Sequence, residues 1–178
     1  MNIPQIAALL LFLAAGTTLK AQTSTELILP DSSVVFKSAT MEGVIFGPHF
    51  KWLAPGTNGT SREMNPMKIL AKDEHAMRYM PSLEEIASIE PELKLFLQEQ
   101  QPHIADSLHA YVKQYFGYID SKGDTLVYIN CFFDEHIRSH ADWQHAIIQV
   151  MDGWYYFFRV RYNLSTATFS DLSVNGFR

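Results

Sequence analysis

The sequence predicts an α+β domain in which a kinked amphipathic helix packs on a mostly antiparallel, five-stranded meander sheet. Three observations lead to this class: a helix-capping motif followed by an apolar stripe, a strand-rich carboxy-terminal half, and turn formers at short intervals between the strands. The chain has 178 residues, of which 47% are hydrophobic, and a formal net charge of −5. This composition excludes a disordered chain and suits one domain of ordinary size.

The helix is predicted to begin after Ser82, because Ser82 and Glu85 have the spacing of a capping box. Beyond them, apolar residues recur at helical spacing and form one stripe: Ile86, Ile89, Leu93, Phe96 and Leu97. Pro91 interrupts the pattern, because it has no N–H and its ring crowds the carbonyl of Ala87. A second helix that opens at Pro91 is the alternative, but the stripe keeps its phase, which favours a kink.

Five consecutive strands are predicted after the helix, each joined to the next by a short or moderate connection. They are Tyr111–Ile119, Thr125–Phe133, Gln144–Met151, Trp154–Asn163 and Thr168–Val174. Asp152-Gly153 is the signal of a two-residue hairpin turn between the third and fourth strands. In the last strand, strict alternation would place Phe169 and Leu172 on opposite faces, which predicts a bulge between them.

The amino-terminal part of the chain is predicted to be an export signal followed by less regular structure. Ile6–Ala15 is an unbroken apolar run, too short to span a bilayer, and small Ala21 suits a cleavage site, so residues 1–21 are predicted to be a signal peptide. A buried amino-terminal helix is the alternative. Residues 22–80 are predicted to add short strands and a long surface loop to the domain, whose core is residues 81–178. We therefore expect a mature chain without a membrane span, periplasmic or secreted.

Alternation along the second and fourth predicted strands sorts their side chains onto two faces. One face is apolar and is expected to receive the helix; it carries Val127, Ile129, Cys131, Phe133, Trp154, Tyr156, Phe158, Val160 and Tyr162. The other face combines rings with cations: Tyr128, Phe132, Tyr155, Phe157, Arg159 and Arg161. Such a surface can stack on a planar or sugar ligand, or anchor a protein partner, so these six residues are the candidate ligand or partner face. The alternative is that the amino-terminal strands or the 47–66 loop cover the rings, because large exposed apolar patches are uncommon.

The densest group of metal-ligand side chains lies between the second and third predicted strands. His136 and His140 are four residues apart, which makes them weak candidates for a metal site, but no third ligand accompanies them at a fixed spacing, so no metal is expected. Together with Asp134 and His145, they would also be the catalytic groups of the alternative function, a small exported hydrolase.

The sequence contains none of the common catalytic or nucleotide-binding motifs. It lacks the Gly-x-Ser-x-Gly elbow, the Gly-x-Gly-x-x-Gly turn and the phosphate loop, so no catalytic residue and no cofactor is predicted. Cys131, the single cysteine, is expected to be buried and unreactive. No basic patch indicates a nucleic-acid partner.

Five segments stand out in the sequence: Met80–Ile86, Tyr115–Tyr118, Val127–Phe132 and two parts of the tail, Val150–Phe157 and Leu172–Gly176. Together they resemble segments of a group of small exported proteins of Bacteroidota-type bacteria. Members of that group usually carry a second glycine where this sequence has Trp154. The resemblance implies export and fold but supplies no catalytic residue, because the group has no assigned activity. In outline, the arrangement is similar to cystatin-like and nuclear-transport-factor-like folds, and a non-catalytic binding or interaction protein of the cell envelope is the expected function.

Overall fold

A computed structural model describes residues 24–55, 61–133, 142–150 and 152–176. The strands are β1 (Thr25–Ile28), β2 (Val34–Lys37), β3 (Glu42–Ile45), β4 (Trp52–Pro55), β5 (Ser61–Met64), β6 (Met77–Tyr79), β7 (Tyr111–Ile119), β8 (Thr125–Phe133), β9 (Phe157–Asn163) and β10 (Thr168–Val174). The helices are α1 (Leu83–Gln100) and α2 (Pro102–Asp106), and a π-helical turn spans Met67–Ala71. The predicted α+β class is confirmed.

The main sheet has eight strands and is mostly antiparallel, so the prediction of five strands is wrong. Its order is β1-β2-β3-β7-β8-β9-β10, and β6 pairs with β7 beyond the end of β3. Residues 22–80 contain short strands, as predicted, and the first three of them are β1, β2 and β3. They join the sheet through a parallel pairing of β3 with β7, which the sequence analysis did not predict. A Cβ atom at Gly43 would lie 2.4 Å from the carbonyl oxygen of Lys113, so this close approach requires a glycine.

The helix begins as predicted. The Ser82 hydroxyl accepts a hydrogen bond from the Glu85 backbone N–H at 3.2 Å, and the Glu85 carboxylate accepts one from the Ser82 N–H at 2.7 Å. Helix α1 continues through Pro91 to Gln100, so Pro91 does not open a separate helix, and the kink stays a prediction. The apolar stripe packs on one face of the sheet, which we call the helix face, through Ile86, Ile89, Leu93 and Leu97.

The prediction of a third strand over Gln144–Met151 is wrong. Residues 144–150 are not a strand, and β9 pairs directly with β8, from Leu126 opposite Asn163 to Phe132 opposite Phe157. The predicted hairpin at Asp152-Gly153 is also wrong, because a 3₁₀ turn, Trp154–Tyr156, follows Gly153 and leads into β9. The strand was predicted because this segment precedes the Asp152-Gly153 turn signal, but side chains from β7 and β8 bind its backbone carbonyls, as described below.

The predicted bulge in the last strand is confirmed. Pairing between β9 and β10 shifts register between Ser170 and Ser173, and Asp171 at that point has a φ of 55°. The extra residue turns both Phe169 and Leu172 toward the helix-face core. It also sends the Asp171 carboxylate toward β9, where it contacts Arg161.

The opposite face of the sheet, which we call the second face, has its own apolar core. The chain between β3 and β6 covers part of it with Phe46, Phe50, Trp52 and Leu70, which pack with the sheet residues Val44, Phe116, Tyr118 and Tyr128. Arg78 lies over the Phe116 ring at 3.7 Å and donates to the carbonyls of Phe46 and Gly47. Burial lowers the pKa of Arg78 to about 10, so it remains a cation at neutral pH. Among the described residues, no helix has the length and apolar character needed to cross a bilayer.

Candidate functional site

The rings of β8 that the sequence assigned to the candidate face lie under other parts of the chain. Phe132 is 0% exposed and contacts the Trp143 ring, and Tyr128 is 8% exposed beside Phe116 and Tyr118. The alternative of covered rings therefore applies to both residues. The cover comes from the chain before β6 and from residues 142–150.

Tyr155 does not lie on the second face, so this part of the prediction is wrong. Its ring packs against the helix-face core and contacts His103 edge-on, with centroids 5.4 Å apart, while its carbonyl accepts a hydrogen bond from Tyr111 at 2.9 Å. The reason is the 3₁₀ turn that precedes β9, because period-two alternation holds only within an extended strand. For the same reason Trp154, expected in the apolar core, is 47% exposed.

Of the predicted residues, Tyr128, Arg159 and Arg161 border an open cavity of about 340 Å³ on the second face, which we call the arginine groove. It lies between the π-helical turn, residue 149, the middle of β9 and the bulge of β10. Besides Ser173, its polar lining residues are Lys72, Tyr128, Gln149, Arg159, Arg161 and Asp171. Alternation correctly placed Tyr128, Arg159 and Arg161 together, whereas the other three come from elements that the sequence analysis did not connect to this face.

Arg161 is a structural part of the groove. Its guanidinium donates to the Leu70 carbonyl at 2.7 Å and forms an ion pair with Asp171, and its side chain is 13% exposed. These contacts tie the π-helical turn and the bulge of β10 to β9. The Nε atom of Arg161 is buried and has no partner among the described residues. Arg161 therefore supplies a fixed positive charge to the groove wall.

Arg159 and Lys72 are the exposed cations of the groove. No ion pair of either residue lies within the described ranges of the chain. Beside them the Tyr128 phenol has a raised pKa, because burial outweighs the opposing charges of Arg159 and Arg161. The phenol is therefore neutral at pH 7 and retains its O–H as a donor. The groove thus offers two exposed cations, one fixed cation and one hydroxyl to a ligand.

A smaller cavity of about 160 Å³, which we call the side cavity, shares Tyr128, Gln149 and Arg159 with the groove. Its further lining includes Phe157 of the predicted face, together with Asn130 and Asn175. The Asn130 amide nitrogen donates to Gln114 Oε1 at 2.9 Å and to the Ile148 carbonyl at 2.8 Å. The Asn175 amide nitrogen donates to the Val150 carbonyl at 2.6 Å. The two cavities therefore share part of their lining, and the side cavity adds the amides of Asn130 and Asn175.

Residues 143–148 are held on the second face by one buried amide, Gln114, which the sequence analysis missed. Its nitrogen donates to the carbonyls of Trp143 and Ala146, both at 2.7 Å, and its oxygen accepts from the Ile148 N–H at 2.9 Å. The only signal in the sequence was the polar pair Lys113-Gln114 in a strand that is otherwise apolar or aromatic. This amide supports the chain that leads into Gln149 at the groove.

A buried ion pair, also missed, lies on the helix face. Lys113 Nζ is 3.1 Å from Glu90 Oε2 and reaches the carbonyls of Leu108 and Tyr111 at 3.4 Å. The second carboxylate oxygen of Glu90 accepts from the Tyr115 hydroxyl at 2.6 Å. A cleft of about 410 Å³ opens beside Glu90, between α1 and α2. Since the charged groups of Lys113 and Glu90 already bind partners within the protein, we assign the pair a structural role.

The residues of the metal and hydrolase hypotheses lie mostly outside the described residues, including Asp134, His136 and His140. His145 is described, and its Nδ1 is 2.8 Å from Asp142 on an exposed turn. No group of three metal-ligand side chains lies within the described ranges. Cys131 is buried as predicted, and burial strongly raises the pKa of its thiol.

Comparisons with protein-family models, with curated proteins and with solved structures find no match for this chain.

Proposed function

We propose that this chain is an exported bacterial protein that binds a small anionic ligand in the arginine groove without transforming it. The observation that carries the proposal is the placement of Lys72, Arg159 and Arg161 around one open cavity in a chain whose net charge is −5. A local excess of positive charge on an acidic protein attracts anions to that cavity. Export is supported by the apolar run Ile6–Ala15, which has the length of a signal-peptide core.

The chemistry of the lining supports binding. Its exposed polar groups include a guanidinium, an ammonium and an amide, with a neutral phenol beside them, and all four donate hydrogen bonds. The carboxylate of Asp171 is occupied by Arg161. Arg159 is the group we expect to hold the ligand, because a planar guanidinium grips carboxylate, sulfate or phosphate oxygens with two parallel hydrogen bonds. Arg161 keeps the groove in shape.

The test is a titration of the purified protein with sodium acetate and with inorganic phosphate, followed by nuclear magnetic resonance. We expect saturable chemical-shift changes at Tyr128, Gln149 and Arg159. In Arg159→Ala, the affinity measured from the changes at Tyr128 and Gln149 should be at least about tenfold lower. Arg62→Ala is the matched control, because Arg62 is an exposed arginine of β5 that does not line the groove. Shifts that are absent, or that Arg62→Ala weakens as much as Arg159→Ala does, would contradict the proposal.

A further inference from the structure

Beyond the residues that it shares with the arginine groove, the side cavity is lined by two side-chain amides, Asn130 and Asn175. Both amide hydrogens of Asn130 are engaged, by Gln114 Oε1 and the Ile148 carbonyl, so the group that Asn130 offers to the cavity is its carbonyl oxygen. The amide nitrogen of Asn175 donates one hydrogen bond, to the Val150 carbonyl. The side cavity therefore adds a hydrogen-bond acceptor and a second amide beside the donors that line both cavities.

The two regions meet at Tyr128 and Arg159, which line both cavities. A single ligand that fills both can therefore place an anion on Arg159 and hydroxyl groups on the two amides. The half-buried ring of Phe157 lines the side cavity. Aromatic faces pack well against the C–H groups of a sugar ring, because the ring face is electron-rich.

From this juxtaposition we infer that the ligand is a sugar acid: a ring with one carboxylate, bound by Arg159, and neighbouring hydroxyls that donate to the Asn130 oxygen and bind the Asn175 amide. This inference rests on the proposed function and names its ligand class. The groove volume of about 340 Å³ suits such a molecule, because it lies at the lower end of the range for small-ligand pockets. A plain anion would leave the side cavity unused, and a neutral sugar would leave Arg159 unpaired.

The test compares three probes on the unmodified protein by isothermal titration calorimetry. Glucuronate carries both parts, acetate carries only the anion, and glucose carries only the hydroxyls. We expect glucuronate to bind at least about tenfold more tightly than acetate, and glucose to bind at least about tenfold more weakly than glucuronate. Because this comparison needs no mutation, it does not depend on whether a variant folds.

Two variants then assign the two ends of the ligand. Arg159→Ala is expected to reduce glucuronate and acetate binding alike, whereas Asn175→Ala is expected to reduce glucuronate binding and leave acetate binding unchanged. Equal affinities for glucuronate and acetate, both dependent on Arg159, would overturn the sugar-acid inference and leave the proposed function standing. Binding of either anion that Arg159→Ala does not weaken, or no binding of any anion, would overturn both.

Discussion

The amide nitrogen of Asn130 donates to the amide oxygen of Gln114, 2.9 Å away on the neighbouring strand. The two residues are direct partners in the antiparallel pairing of β7 and β8, and both face the second side of the sheet. Together they bind four backbone groups of residues 143–148. Side-chain amides thus satisfy the backbone of a segment that was predicted to be part of a strand, and the segment does not enter the sheet.

Replacing Gln114 with Ala is expected to lower the free energy of unfolding by about 3 kcal/mol, because it leaves several buried polar groups without partners. Amide hydrogen exchange should also accelerate at Ile148, whose N–H bonds to Gln114. Gln98→Ala is the control, because Gln98 is an exposed residue of α1 and its loss should change the stability by less than about 0.5 kcal/mol. Equal stabilities of the two variants would contradict the role of Gln114.

The two groove arginines should differ in their effect on stability. Arg161→Ala removes the ion pair with Asp171 and leaves the carbonyl of the buried Leu70 without its donor, so we expect a loss of about 2 kcal/mol in a urea unfolding experiment. Arg159→Ala removes an exposed side chain, and we expect a change within about 0.5 kcal/mol. If Arg161→Ala were as stable as Arg159→Ala, the groove wall would not depend on Arg161. Because Arg159→Ala is expected to leave the stability nearly unchanged, ligand-binding tests are better made at Arg159.

The buried Lys113–Glu90 pair should show strong coupling. Lys113→Met leaves the Glu90 carboxylate in the core without its cation and is expected to cost about 4 kcal/mol of unfolding free energy. Adding Glu90→Gln removes that stranded charge and keeps an oxygen that accepts from Tyr115, so the double variant should recover at least about 1 kcal/mol. Additive losses in this double-mutant cycle would show that the pair is not coupled.

Alkaline pH should destabilise the protein through its tyrosines. Burial and a hydrogen bond to a glutamate, Glu85 for Tyr79 and Glu92 for Tyr162, raise the pKa of each of these tyrosines to about 12. The phenol of an unfolded chain has a pKa of about 10. A group whose pKa is raised on folding contributes its stability below the unfolded value and loses it as the pH passes the folded value. We expect the unfolding free energy to fall from about pH 10 to about pH 12. The double variant Tyr79→Phe, Tyr162→Phe should have a shallower slope; an unchanged slope would assign the effect to other groups.

Local signals in the sequence predicted much of the helix face. The capping box at Ser82 depends on residues close in sequence, and the alternation that buries Val127, Ile129 and Cys131 depends on one strand, so both were readable. The bulge of β10 followed from the same alternation, because Phe169 and Leu172 required it. The hairpin loop between β7 and β8 was likewise marked by consecutive turn formers.

Less of the second face could be predicted from the sequence, because its contacts join distant parts of the chain. The pairing of β3 with β7 has no local signature beyond the small residue Gly43. Lys72 and Asp171 reach the groove from a π-helical turn and a bulge, whose positions depend on packing. The backbone of residues 144–150 hydrogen-bonds to the Gln114 side chain instead of pairing as a strand. Nothing in the sequence of residues 144–150 themselves indicates this interaction.

The parallel pairing of β3 with β7 has a consequence for the order in which the molecule assembles. The first three strands form local hairpins with one another, but the strand to which they attach lies on the far side of α1 in the chain. During synthesis, the edge of β3 that pairs with β7 therefore stays unpaired until β7 has emerged. The carboxy-terminal meander has no such delay, because each of its strands is followed directly by its neighbour in the sheet. We therefore expect the meander to form first and the amino-terminal strands to dock onto it afterwards.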